Sequence, residues 1–120
     1  MIAVIFEVFP QPENKQEYLD IAKELKPLLS TIDGFISIER FESLQTPGKV
    51  LSLSYWENEE AIKQWRNQTQ HREGQGKGMD HIFSNFNIKV CQVIRDYGLN
   101  DRENAPSDSN QYHLNKKIVD

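Results

Sequence analysis

Cysteine is nearly absent from this chain of 120 residues: Cys91 stands alone. No disulfide can form within one copy, and neither a CxxC zinc site nor a disulfide framework is available. A reducing cytoplasm is the expected compartment. Long apolar runs are missing too, since no stretch nears the roughly 20 residues a membrane helix needs, and no membrane partner is expected. The opening MIAVIF has no basic n-region and meets Glu7 at once, so no signal peptide is expected. There is no basic excess: 14 Lys and Arg stand against 18 Asp and Glu, a formal charge of −4. Nucleic-acid binders usually carry a basic excess or stripe, and no nucleic-acid partner is expected. His71, His81 and His113 show no H-x-x-x-H spacing, so no metal site is expected. Glycines are few, and Gly74, Gly76 and Gly78 spell G-x-G-x-G after a helix pattern rather than a strand. That context excludes a dinucleotide loop.

The chain does carry strand and helix patterns enough for one domain. Ile2 to Phe9 (IAVIFEVF) is β-branched and aromatic on both faces except at Glu7, the signature of a strand covered on two sides. Pro10-Gln11-Pro12 ends it. Asn14, with Glu17 three residues on, reads as a capping box, and Tyr18, Ile21, Ala22, Leu25, Leu28 and Leu29 follow at helical spacing. Pro27 should kink this helix or begin a short final turn. After the Asp33-Gly34 turn, Phe35 to Leu44 and Val50 to Trp56 flank Thr46-Pro47-Gly48 as a hairpin. Asn58 caps a second helix with Ala61, Ile62 and Trp65 as its apolar stripe. His71 to Asp80 (HREGQGKGMD) reads as a broken helix or loop. Ile82 to Tyr97 is the last strand pattern. From Gly98 onward Asn, Asp and Ser dominate, and the segment reads as an extended arm or disordered tail.

The order β-α-β-β-α-β predicts an α+β, ferredoxin-like split βαβ sandwich, with two helices on one face of an antiparallel four-stranded sheet. The domain is expected over residues 1–97, with 98–120 as a polar C-terminal arm. The face turned from the helices carries large apolar residues, the Phe35/Phe41 or the Ile36/Ile38 set. Left bare they would form a larger patch than monomers usually expose. A second copy is the simplest cover, so a homodimer is expected.

Particular segments also resemble a known family. They are MIAVIFEV at the start, IDGFISIERFES over 32–43, PGKVLSLSYWENEEAIKQWRN over 47–67, and His71-Arg72 after it. In order and content, over about Met1 to Tyr97, they resemble the antibiotic biosynthesis monooxygenase (ABM) family of the dimeric α+β barrel superfamily. That family includes cofactor-free oxygenases of polyphenols and quinols, haem-degrading enzymes and members with isomerase roles. The resemblance implies a small monooxygenase-type oxidoreductase that needs no cofactor, acting on a flat phenol, quinol or polyketide-like metabolite. Haem and flavin remain open as borrowed cofactors.

His71 is the candidate base. Imidazole exchanges a proton near neutral pH, and a family-like histidine follows the helix tryptophan, here Trp65. The plainer account is an exposed histidine among Gln68, Gln70, Arg72 and Glu73. On an unbroken helix positions 65 and 71 lie about 120° apart; a break at the glycines would free that geometry. Trp65 is either core packing or a wall stacking a flat substrate, with Phe83 as a second wall. Arg40 lies mid-strand on the Ile36/Ile38 side. A buried arginine must be paired, either with Glu7 or a strand neighbour, or by clamping a phenolate or carboxylate. Arg66 and Asn67 read as a solvated helix face. The alternative function is a non-catalytic binding module using the same pocket. A haem-binding role comes third, with no tight haem binding expected; haem-degrading relatives carry asparagine on the first strand, where this chain has Glu7, which counts against haem degradation.

Overall fold

The computed structural model describes residues 1–74 and 83–119, with side chains described for 1–69 and 85–116. The order is β1 (Ile2–Pro10), a single 3-10 turn (Pro12–Asn14), α1 (Lys15–Leu29), β2 (Phe35–Glu42), β3 (Val50–Trp56), α2 (Glu59–Gly74), β4 (Phe83–Gln92) and α3 (Ser107–Val119). The four strands pair antiparallel in the order β2-β3-β1-β4. This is the α+β, ferredoxin-like arrangement that the sequence pattern implies.

β1 is the axis of the sheet, paired on both sides, and its alternation decides what each face holds. Ile2, Val4, Phe6 and Val8 stand in register with Trp56, Ser54, Ser52 and Val50 of β3. On the β4 side the same four meet Gln92, Val90, Ile88 and Phe86. This face takes the helices. Ile2, Trp56, Leu29 of α1 and Ala61 of α2 form one buried cluster, packed by Val4, Ile32, Phe35, Ile38, Ile62 and Trp65. Val8, Val50 and Tyr18 form a second, packed by Phe6 and Ile21. The Trp56 indole N–H donates to Ser54 Oγ at 2.8 Å, which satisfies two polar groups inside the first cluster.

Several local expectations need correction. Asn14 ends the 3-10 turn and makes no side-chain cap bond, so the capping box is not formed from its side. α1 runs through Pro27 and tightens only afterwards, where Thr31 and Ile32 donate to Leu28 and Leu29 three residues back. β2 stops at Glu42, not Leu44, because Ser43 turns away to bond Lys49 and its Oγ accepts from Gln45 and Thr46. A register shift between Phe35 and Ser37 places a bulge at Ile36. The extra residue breaks strict alternation: Phe35 joins Ile38 against the core, while Ile36 is 47% exposed. Arg40 therefore shares its side with Ile38 and Phe35 rather than with Ile36. β4 ends at Gln92 instead of reaching Tyr97, with one further bond from Val93 to the Met1 carbonyl. The segment after Gly98, read as an arm or tail, contains the helix α3.

α3 stands off the sheet. The radius of gyration is 18.3 Å and the longest extent 60 Å, against roughly 14 Å for an ordinary globule of this length. Arg102 organises the arm. Its guanidinium lies 5.3 Å from the Tyr97 ring centre and donates to the Gly98 carbonyl, Ser109 Oγ and Asn110 Oδ1, and Asn110 returns a bond to the Arg102 carbonyl.

The face opposite the helices presents Ala3, Ile5 and Glu7 of β1 beside Tyr55, Leu53 and Leu51 of β3, with Phe41 of β2 exposed at its margin. α1 and α2 pack on the other face, where Leu29, Tyr18 and Ala61 enter the core. Pairing two such faces would bury on the order of 2,000 Å² or more, as obligate interfaces do. Sedimentation of the full chain at micromolar concentration is expected to give a dimer, and Leu53→Asp to give a monomer; a compact wild-type monomer would contradict the expectation.

Gly34 has φ +95, and a Cβ there would lie 3.0 Å from Ala61 Cβ. Both the left-handed backbone and the contact oppose a side chain, so Gly34→Ala should cost about 1–3 kcal/mol, read as a lower urea midpoint with the slope unchanged.

Candidate functional site

α2 is fixed at its first turn. Asn58 Oδ1 accepts from the Ala61 N–H at 3.0 Å, and Glu59 and Glu60 sit at the positive end of the helix dipole. Glu57 donates to the Gly34 carbonyl at 2.7 Å, so the helix leaves β3 against the turn before β2. Ala61, Ile62 and Trp65 then pack down into the core. The neighbouring stripe of the same helix holds Glu59, Lys63 and Arg66 at spacings of four and three, which share one side.

That stripe overhangs β4, and among the described residues β4 is not filled in beneath it. Phe86, Ile88 and Val90 belong to the helix-facing row by register, yet each is about half exposed, at 52%, 52% and 50%. Phe86 rests edge-on against Phe6, ring centres 5.8 Å apart at 65°. The gap is a cleft of about 280 Å³ lined by Glu59, Glu60, Ile62, Lys63, Arg66 and Val90. Its floor is apolar, and its helix wall carries two cations and two carboxylates. Such a cleft can take a flat apolar body on the floor and hold one negative group against Lys63 or Arg66. Among the described residues no three His, Cys, Asp or Glu gather as metal ligands would.

The sequence-derived site residues are scattered. Trp65 packs against the core cluster and does not line this cleft. Arg40 lies on β2, where its Nε donates to the Tyr18 hydroxyl at 3.4 Å. β2 and β4 are the two edges of the sheet, three strand spacings or about 14 Å apart. Arg40 and Phe83 thus stand at opposite edges. α2 runs unbroken to Gly74, so the break or loop expected over His71 to Asp80 does not begin at His71, and positions 65 and 71 stay about 120° apart around one axis; the remainder of that segment, 75–80, lies outside the described residues. The side chains of His71 and Phe83 lie outside the described residues. Arg66 reads from the sequence as a solvated helix face, and Lys63 and the two carboxylates have no site role there; the Glu59–Lys63–Arg66 stripe beside the apolar one is the only signal.

Glu7 is not Arg40's partner. It projects from the opposite face and pairs with Lys49 at 2.8 Å and Lys89 at 3.3 Å, while Lys49 also stands 5.9 Å from the Phe9 ring centre. The hydrogen bond from Lys49, then that from Lys89, holds the Glu7 carboxyl below its ordinary 4.5. A depressed folded-state pKa contributes stability above the unfolded value and loses it as pH falls through the folded one. The urea midpoint of Glu7→Gln should therefore lie below wild type at pH 7, and the difference should shrink as pH falls below 4.5. A constant difference down to pH 3 would contradict the pairing.

A family model described as antibiotic biosynthesis monooxygenase matches residues 1–77. A protein named jasmonate monooxygenase, from Pyricularia oryzae, is 46% identical over 93 residues, which cover 78% of this chain and 43% of that protein. The chain thus spans less than half the length of that relative. Among solved structures, Rv0793 from Mycobacterium tuberculosis superposes with a TM-score of 0.68 at 15% identity, covering 81% of this chain and 98% of that one. A variant of MhuD holding two manganese protoporphyrin IX groups per active site superposes with a TM-score of 0.67 at 14% identity, covering 82% and 99%. At these identities the two structures share the fold.

Proposed function

The chain belongs to the antibiotic biosynthesis monooxygenase family, and from that membership we propose a monooxygenase acting, without a bound cofactor, on a flat phenol, quinol or related metabolite in the cleft between α2 and β4. The cleft carries the proposal: an apolar floor on Val90 with Lys63 and Arg66 on the wall above it. A deprotonated phenol can itself pass an electron to O₂. One oxygen atom then becomes a new carbonyl of the product and the other leaves as water, the substrate itself supplying the four electrons and the two hydrogens as it passes to the quinone. The protein must supply a base, a surface that excludes water, and a positive group opposite the oxyanion. Lys63 and Arg66 take the last role, in place of Arg40. The name of the Pyricularia relative, jasmonate being an apolar carboxylate, supports a substrate with one negative charge on an apolar body. His71 is proposed as the base, because its imidazole titrates intrinsically near neutral pH; it belongs to the helix that forms the cleft wall.

The second reading is a module that holds a ligand without turning it over. The porphyrins of the MhuD variant favour haem as that ligand. The described lining offers no histidine, cysteine or methionine to an iron. On β1 the residues on the cleft side are Val4, Phe6 and Val8, and Glu7 faces away, so comparing Glu7 with an asparagine of haem-degrading relatives has no bearing on this cleft.

Oxygen uptake with a panel of hydroquinones and hydroxyanthraquinone precursors separates the readings. Uptake is expected, with His71→Ala lowering kcat by about 10²–10⁴, the usual worth of a general base, and Arg66→Ala raising KM with a smaller effect on kcat. Binding of the same compounds with no uptake would favour the holding module. A tight Soret titration would favour haem.

A further inference from the structure

We propose that α3 of a second copy of the chain closes the cleft, its Asp108–Tyr112–Lys116 stripe lying antiparallel along Glu59–Arg66 of α2. In its own chain α3 lies toward one end of a molecule 60 Å long. It is held from one side, where Ser109 and Asn110 bond Arg102. The other side presents Asp108, Tyr112 and Lys116 at spacings of four, hence in one line along the helix. All three are exposed, and Tyr112 is 71% exposed.

The two stripes complement each other in charge and length. On α3 an acid and a base lie eight positions apart, about 12 Å, with an aromatic ring midway; on α2 Glu59 and Arg66 lie seven positions apart, about 10 Å. Antiparallel placement brings Asp108 to Lys63 and Arg66, and Lys116 to Glu59 and Glu60. The Tyr112 ring then falls over Ile62 and Val90, an apolar seat with water at its rim for the hydroxyl. Exchange between two copies satisfies a two-fold axis, each giving its arm and receiving the other. The arm continues the chain from the end of β4, so face-to-face sheets and exchanged arms can belong to one assembly. The docked arm rests on the function proposed above and would regulate that same site: Asp108 against Lys63 and Arg66, and Tyr112 against Val90, take the places of the substrate's anionic group and apolar body, so a substrate must displace the arm to enter.

Disulfide trapping tests this in the full-length chain with Cys91→Ser as background. Copies carrying Val90→Cys are mixed with copies carrying Tyr112→Cys and oxidised. The expected product is the mixed, disulfide-linked dimer. Lys116→Glu in the second copy should slow its formation on the order of tenfold, and Glu60→Lys in the first should restore it. All these positions are exposed or half-exposed, so the variants retain the core. Homodisulfides alone, no disulfide, a rate indifferent to the charge changes, or a doubly substituted chain that closes within one monomer would overturn the proposal. The readout is a gel band and needs no turnover, so a chain that consumes no oxygen still reports on the docking.

Discussion

The seat of α2 on the turn before β2 governs the rest of the molecule. Gly34, at φ +95, lets the chain turn close enough for its carbonyl to accept from Glu57 and for Ala61 to press against it. Asn58 closes the same knot by capping the helix. Once those three contacts are made, the direction of α2 is set. Ala61, Ile62 and Trp65 must enter the core between β3 and β1, and β4 is left with its helix-facing row half open. The cleft is thus a by-product of where a helix begins, not of any residue in the cleft.

β1 does the complementary work. Its two neighbours share one alternation, so the same strand that supplies Val4, Phe6 and Val8 to the helices supplies Ala3, Ile5 and Glu7 to the opposite face. Glu7 is the exception in an apolar sequence, and the structure accounts for it through Lys49, just before β3, and Lys89 of β4. A carboxylate flanked in this way retains its charge at modest cost, which allows a polar residue on a face otherwise suited to burial.

Much of this was legible in the sequence and some of it could not be. β3 matches its pattern residue for residue, because an interior strand with Ser and large apolar residues alternating has one way to lie. β2 does not, since a bulge at Ile36 shifts phase without any change in composition. The break expected at His71 rested on glycines, but a single Gly74 costs a helix only about 1 kcal/mol, and α2 runs on to it. α3 lacks an apolar stripe and depends on Arg102, eight positions from its partner Asn110. Lys63 and Arg66 look like solvated charges from the sequence; only the vacancy over β4, a tertiary fact, gives them a ligand to face.

Arg102 gives the arm a further property. One guanidinium gathers the Tyr97 ring, the Gly98 carbonyl and two side chains of α3, all within fourteen consecutive positions. Contacts so local close quickly and need nothing from the sheet. The arm is therefore ordered before it meets any surface, and most of the entropy that a free tail would surrender on docking has already been spent in folding. A single substitution at Arg102 would change the arm from a rigid lever to a tether while leaving every residue of the sheet in place.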